Sequence, residues 1–380
     1  MAICKRISPF FLIYCLLFDI ITIEIEINGA RSCALGWYMK IIVDAMGGDN
    51  APEQIVIGAI EAIKADKDLS VVLVGKKNDI DAVLSESDGK YDKERIEIVD
   101  AADVISNDES PTMAIKTKKE SSLVKAFDLL MSDENAGGFV SAGSTGAVLV
   151  GAFMKVGRIK GVSRPALAPV LPTLKGNGVV LCDCGANVDC KPVNLQHFAI
   201  MASAYAEAML GVKKARVGLL NNGAEAHKGN ELTQETYKLL SETKGINFVG
   251  NCEARDILSG DFDVVVSDGF NGNIALKSAE GTAKTMLSLI KEGVYSGGLR
   301  SKIGALLLKP VFKKVQKKMD YNAHGGACFL GVNKVVVKSH GSSKAKSITA
   351  SILQAKSLAE RNVPKTIKDG IDALKDEAEA

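Results

Sequence analysis

From Met39 onward, short runs of β-branched and other apolar residues alternate with longer stretches whose apolar positions recur at helical spacing. The short runs predict strands at Lys40–Ala45, Val71–Gly75, Ile96–Val99, Phe139–Ser141, Val179–Cys184, Arg216–Leu220, Asn247–Gly250 and Val264–Ser267. The longer ones predict helices at Pro52–Ala65, Met113–Met131, Thr145–Val156, Pro192–Leu210 and Glu231–Glu242, with Pro52 and Pro192 suited to a first helical turn. Strand-helix alternation sustained this long implies a doubly wound, mostly parallel sheet in three layers, because each crossover lays a helix on one face or the other. Beyond Asn271 the pattern is helical to about Lys318, then strand-like at Val332–Lys338, with a last helix from Ser342. The reading is one α/β domain over residues 39–380 carrying a helical, basic protrusion at about 293–326.

Residues 1–38 break the pattern. An apolar run, Phe10 to Phe18, follows Lys5 and Arg6 as in a signal peptide. Asp19 cuts it far short of the roughly 20 residues that span a bilayer, and Ile21 to Ile27 alternate with polar residues as a strand does. A cleaved signal, a functional extension and a mis-set start codon are the three readings. The last is preferred, since a complete α/β pattern opens at Met39.

Composition narrows the class. The chain is 47% apolar and 24% charged, enough for a large core. With 47 Lys and Arg against 45 Asp and Glu, the net charge of +2 gives no overall electrostatic footprint for nucleic acid. Its 8 Cys form no spaced framework, so a reducing cytoplasm is the expected compartment.

In such sheets ligands sit outside the carboxyl ends of strands. Five polar or Gly-rich segments fall at predicted strand ends and lead into helices: Asp44–Asp49 with Gly47 and Gly48, Ser141–Gly146 with Gly143, Ser144 and Thr145, Asp183–Asn187, Asn221–Asn230, and Ser267–Asn273 with Asp268 and Gly272. Small residues there let backbone N–H groups point into a concavity and receive a phosphate or an oxyanion. Any one such turn is better explained by tight packing of helix on strand; five on one sheet edge favour a site.

No dinucleotide fingerprint, P-loop or G-x-S-x-G elbow is written in the chain. Cys182, Cys184 and Cys190 match no zinc spacing and read as buried thiols. His197, His227, His324 and His340 are scattered, and His197 reads as a satisfied core residue. What remains is anion-handling chemistry without a protein nucleophile. If the anion attacks, the enzyme needs a cation to hold it and donors for the oxyanion. Lys228, in a Gly/Asn-rich loop before a helix, suits the first role, although a solvated loop lysine fits the local pattern equally well. Asn273 suits the second, with helix capping as its alternative.

Taken together, Ile42–Asp49, Gly157–Gly161 with Arg164–Pro169, Gly185–Asp189 with Lys191 and Pro192, Lys228–Leu232, Asn251–Asp256 and Asp268–Phe270 closely resemble the PlsX family of bacterial acyl-ACP:phosphate acyltransferases. The resemblance implies a fold like isopropylmalate dehydrogenase and phosphotransacetylase, a homodimer, and no metal or organic cofactor. It also implies transfer of a fatty acyl group from acyl carrier protein to inorganic phosphate, the acyl phosphate feeding phospholipid synthesis through a membrane glycerol-3-phosphate acyltransferase. The lysine of its K-G-N-E-L motif falls on Lys228 and the asparagine of D-G-F-x-G-N on Asn273; Asn187 and Lys191 join the substrate-contact candidates. Ser144 stands where the family often has Asn, and residues 1–38 have no counterpart.

Two other functions compete. A hydroxyacid dehydrogenase on the related fold needs a nicotinamide site, and a non-catalytic scaffold is suggested by the segment after Gly297. There Leu299, Ile303, Leu306 and Leu307 are interleaved with seven Lys and Arg and no acidic residue before Met319. A basic amphipathic helix reads as an element lying on an anionic membrane surface, which would place the protein peripherally at the inner face of the cell membrane. A core or dimer helix and a docking surface for acidic carrier protein are its alternatives.

A chain begun at Met39 is expected to fold and keep full activity. An insoluble or inactive product beside an active full-length chain contradicts the mis-set start.

Overall fold

The computed structural model describes residues 39–379, apart from positions 88, 90, 177 and 320–324. The segment before Met39 and His324 therefore lie outside the described residues. The strands are β1 (Met39–Asp44), β2 (Leu69–Gly75), β3 (Ile96–Asp100), β4 (Ala136–Ser141), β5 (Ala166–Ala168), β6 (Val170–Leu171), β7 (Val179–Cys182), β8 (Arg216–Asn221), β9 (Asn247–Glu253), β10 (Val264–Val266), β11 (Ala327–Leu330) and β12 (Val335–Lys338). They form a mostly parallel α/β architecture, as the alternation predicts, but divide between two sheets. Seven strands run in the order β3-β2-β1-β4-β12-β11-β5 and five in the order β6-β7-β10-β8-β9.

The division hinges on segments that carry no periodic signal. β5 and β6 are three and two residues long and are bracketed by Pro165, Pro169 and Pro172, so they read as loop in the sequence. β5 closes the first sheet against β11, and β6 opens the second against β7, both antiparallel. β11 forms an antiparallel hairpin with β12, which shortens the strand expected at Val332–Lys338 to its last four residues. The helix expected at Met113–Met131 is two helices, Pro111–Thr117 and Ser122–Ser132. Asp103 pulls the chain out of helical register between them: its N–H donates to the Glu120 carbonyl and its own carbonyl accepts from Ser122 N–H. A further helix, Lys77–Glu86, was not anticipated.

One apolar core joins the sheets. It includes Ile41 and Val43 of β1, Val180 of β7, Val217 of β8 and Val264 of β10, with Leu195, Phe198 and Tyr205 of the helix Pro192–Leu210 packed among them. That helix is apolar on nearly every side because it serves two sheets at once. Buried Tyr205 closes its polar end by accepting from Gln354 Nε2 at 2.7 Å, which pins the helix Ala345–Glu360 alongside. In the second sheet, Arg216 grips Asp263 through Nε and Nη2, both at 2.9 Å, and fixes β8 beside β10.

Helices Gly269–Ser296 and Gly298–Lys318 form the protrusion, which starts earlier than the charge pattern indicated. Gly269, Gly272 and Leu276 are the buried residues of the first helix, and the rest projects outward. The returning helix touches the loop between β6 and β7, where Lys318 Nζ donates to the Leu174 carbonyl. Among the described residues no helix is long and apolar enough to cross a membrane.

Candidate active site

The five Gly-rich turns do not share one sheet edge, as the sequence reading had it. Those after β1 and β4 belong to the first sheet; those after β7, β10 and β8 belong to the second, on adjacent strands. The correction follows from the division at β5 and β6. The two groups nevertheless converge, since Ala186 of the β7 turn packs against the first-sheet cluster that holds Ala147 and Val148, just past the β4 turn.

In the first group, buried Asp44 at the end of β1 accepts from Ser122 Oγ and Ser141 Oγ, each at 2.7 Å, and from Met46 N–H at 3.2 Å. Burial pushes its carboxyl up, against the pull of those donors and of the Lys338 ammonium. Ser141 Oγ in turn accepts from Gly143 N–H at 3.0 Å. A Cβ on Gly47 would lie 2.6 Å from Asp44 Oδ2 and 2.7 Å from Gly143 N, so only glycine lets the β1 and β4 turns meet. Gly48 lies in the left-handed region beside Ala142. Half-buried Ser144 starts the helix Thr145–Gly151 without capping it, and Thr145 is exposed. Gly146 packs against Pro111.

The second group is organised by Asp183, which has no exposed surface. Its carboxylate accepts from the backbone N–H of Leu167, Ala186 and Asn187 at 2.9, 3.2 and 2.6 Å, and from Asn187 Nδ2 at 2.9 Å. Burial raises its pKa while these donors oppose the rise. Asn187 Nδ2 also reaches the Pro165 carbonyl, so this side chain is spent inside the turn. The Asn187 carbonyl takes Gly269 N–H at 2.7 Å, locking the β7 turn to the start of the helix after β10. Asp268 caps that helix, accepting from Asn271 N–H and Nδ2. A Cβ on Gly272 would come within 2.0 Å of the Asp183 carbonyl oxygen, so that contact admits no side chain.

Asn273 is thereby free of the capping role and exposed; a Cβ on Gly185 would lie 3.6 Å from its side-chain carbon. Lys228 is exposed in the next turn, its stem laid across Gly223. Asn221 Nδ2 donates to the Lys228 carbonyl at 3.2 Å, Asn251 Nδ2 holds the loop through the Glu225 carbonyl at 2.8 Å, and Asn230 caps the following helix. Lys191, exposed, sits at the start of the helix Pro192–Leu210. Asn273 and Lys228 thus follow neighbouring strands, β10 and β8, with the β7 turn on the other side of β10.

The described thiols of this region are poor nucleophiles. Cys182 and Cys184 are buried with thiols pushed well above the ordinary range, and Cys190 is half-buried with its thiol pushed up to about 11, in each case first by burial. His197 Nδ1 accepts from Ser163 N–H at 3.0 Å. Among the described residues no cluster of three or more His, Cys, Asp or Glu converges as a metal site. Sequence reading missed Lys338, a buried lysine at the end of β12, although the polar, glycine-containing segment Lys338–Ser343 that leads into the helix Ala345–Glu360 is the same kind of strand-end signal as the other five.

Fold and strand-end geometry define an α/β protein of the phosphotransacetylase fold class. The structure is similar to the EutD phosphotransacetylase from Staphylococcus aureus, with a TM-score of 0.54 and 17% identity over 86% of this chain and 95% of that one. A phosphotransacetylase from Streptococcus pyogenes matches with a TM-score of 0.54 and 17% identity, covering 88% and 98%. The chain belongs to the family described as fatty acid synthesis protein, which matches residues 39–366. Phosphate acyltransferase of Clostridium botulinum is 50% identical over 330 residues, 87% of this chain and 98% of that protein. That of Clostridium acetobutylicum is 48% identical over 336 residues, 88% and 100%. The chain is an enzyme of the acyltransferase class.

Asp183→Ala leaves three backbone N–H groups without their acceptor, and is expected to cost about 3 kcal/mol or more in urea denaturation. A loss below about 1 kcal/mol would show that the turn is held by other means.

Proposed function

We propose that the protein transfers a fatty acyl group from the thioester of acyl carrier protein to inorganic phosphate. The observation that carries the reading is the pairing of Lys228 and Asn273 on adjacent strand ends, beside donor-rich turns and with every nearby thiol suppressed. Such a site holds an anion and receives an oxyanion, and offers no side chain to carry the acyl group.

In the reaction so read, a phosphate oxygen attacks the thioester carbonyl carbon and gives a tetrahedral oxyanion. The C–S bond then breaks, leaving acyl phosphate and the carrier thiolate. Lys228 holds the phosphate, with the turns at Gly47–Gly48 and Ser144–Gly146 offering N–H groups from the opposite sheet. Asn273 donates to the oxyanion over Gly185. Thiolate leaves readily, so the step makes little demand on a general acid, and the balance calls for neither metal nor organic cofactor.

The protrusion supplies the setting. Leu299, Leu306 and Leu307 are 75%, 68% and 76% exposed, and Ile303 half so, on a helix rich in Lys and Arg. Among the described residues nothing covers these side chains, which supports a surface role over an intramolecular core. We read the helix as a reversible contact with an anionic membrane surface on the cytoplasmic side, in a homodimer. Delivery there suits an amphiphilic, hydrolysable acyl phosphate destined for a membrane glycerol-3-phosphate acyltransferase.

Release of carrier thiol should require added phosphate, and Lys228→Met and Asn273→Ala should each lower turnover at least about a hundredfold while staying folded. Near-normal phosphate-dependent release from either folded variant moves the site elsewhere.

Vesicles containing anionic lipid should bind the protein reversibly and more weakly at high salt. Leu306→Glu with Leu307→Glu should reduce binding and spare turnover in solution. A monomeric double variant assigns the leucines to the dimer contact, and one that binds vesicles normally but loses affinity for acyl carrier protein assigns them to carrier docking.

A further inference from the structure

Lys338 ends β12 in register with Ser141 of β4, so it stands at the same strand-end level as the Ser141–Gly146 turn. It is 7% exposed. Among the described residues no carboxylate lies within ion-pair distance; Nζ donates to the Ala142 carbonyl at 3.3 Å and to the Ser339 carbonyl. A buried ammonium bound by carbonyls alone is less stable than an apolar side chain of similar length would be in the same place. Its attraction to buried Asp44 is one reason for a cation here, and its position gives a second. Ala142 immediately precedes the Gly143–Thr145 amides, and its Cβ backs onto Gly48, while Gly143 N abuts Gly47. A shift of Ala142 thus moves the donors of both first-sheet turns together.

We propose that Lys338 is a positioning residue for phosphate, fixing the turn after β4 through the Ala142 carbonyl and placing a positive charge beneath the amides that receive the anion. The proposal rests on the acyltransferase reading above.

The charged groups around it are few. Asp44 of β1 and Asp49 of the following turn attract its charge, and Lys277 of the helix Gly269–Ser296 repels it across the cleft. β4 presents no ionisable side chain, β11 presents buried Cys328 with its thiol pushed up to about 12, and the helix Ala345–Glu360 faces this strand end with Ser351, which accepts from Ser339 Oγ. Burial, with help from Lys277, brings Lys338 down to about 8 despite the two aspartates. The charge is accordingly present at neutral pH and is lost as pH rises through that value.

The test measures phosphate-dependent thiol release by the full-length wild type and Lys338→Met, from about pH 6 to about pH 9.5, together with thermal melting. At neutral pH the variant should show KM for phosphate raised about tenfold or more with kcat changed less than about threefold. The wild-type KM should rise above a pH of about 8, and the variant should lack that rise. An unchanged KM in a folded variant, or a loss confined to kcat, overturns the proposal while leaving the acyltransferase reading intact. If the variant does not fold, the wild-type profile decides: a flat phosphate KM across about 8 overturns it, and the rise supports it. A wild type that releases no thiol on adding phosphate overturns the parent reading, and this one with it.

Discussion

The site depends on a carboxylate that never meets solvent. Asp183 gathers the N–H groups of Leu167, Ala186 and Asn187, and so ties the strand that closes the first sheet to the turn that ends β7 in the second. Burial of a charge is unfavourable unless donors surround it. This one is surrounded by the backbone of both sheets, so its satisfaction and their mutual placement are the same event. The Asp183 carbonyl then sets how closely the helix Gly269–Ser296 can approach, and Gly272 is the residue that allows it. Asn273 follows in that helix, its side chain set over Gly185.

Asp44 plays the matching part in the first sheet, where Ser122, Ser141 and Gly47 close around it. Each sheet therefore presents glycine turns organised by a buried carboxylate, and Asn273 is placed by the second of them, whereas the Lys228 loop is held by Asn221 and Asn251. Lys338 adds the opposite charge behind the β4 turn. A cleft built in this way has its donors fixed before substrate arrives, which is the condition for oxyanion stabilisation without reorganisation.

Much of this was legible in the sequence. Strand cores such as Ile41–Val43 and Val264–Val266 announce themselves by apolar runs, and the turns by their glycines. The separation into two sheets was not legible, because the residues that make it, Ala166–Leu171, are short, interrupted by proline and stabilised by partners far along the chain. Asn187 and Asp268 were visible as polar strand-end residues; their sequence positions did not reveal that their side chains are occupied within the turns. The burial of Lys338 lay hidden for the converse reason. A lysine ending a strand ordinarily points to water, and its burial comes from the approach of Ala142 and Ser339, which no local pattern encodes.

The central claim is that phosphate itself attacks the thioester and that the protein never carries the acyl group. Mixing the full-length chain with acylated carrier protein in phosphate-free buffer, and recording thiol release together with the intact mass of the chain, tests it most directly. The account predicts no burst of thiol and no gain in mass until phosphate is added. A stoichiometric burst accompanied by an acyl adduct on the chain would contradict it.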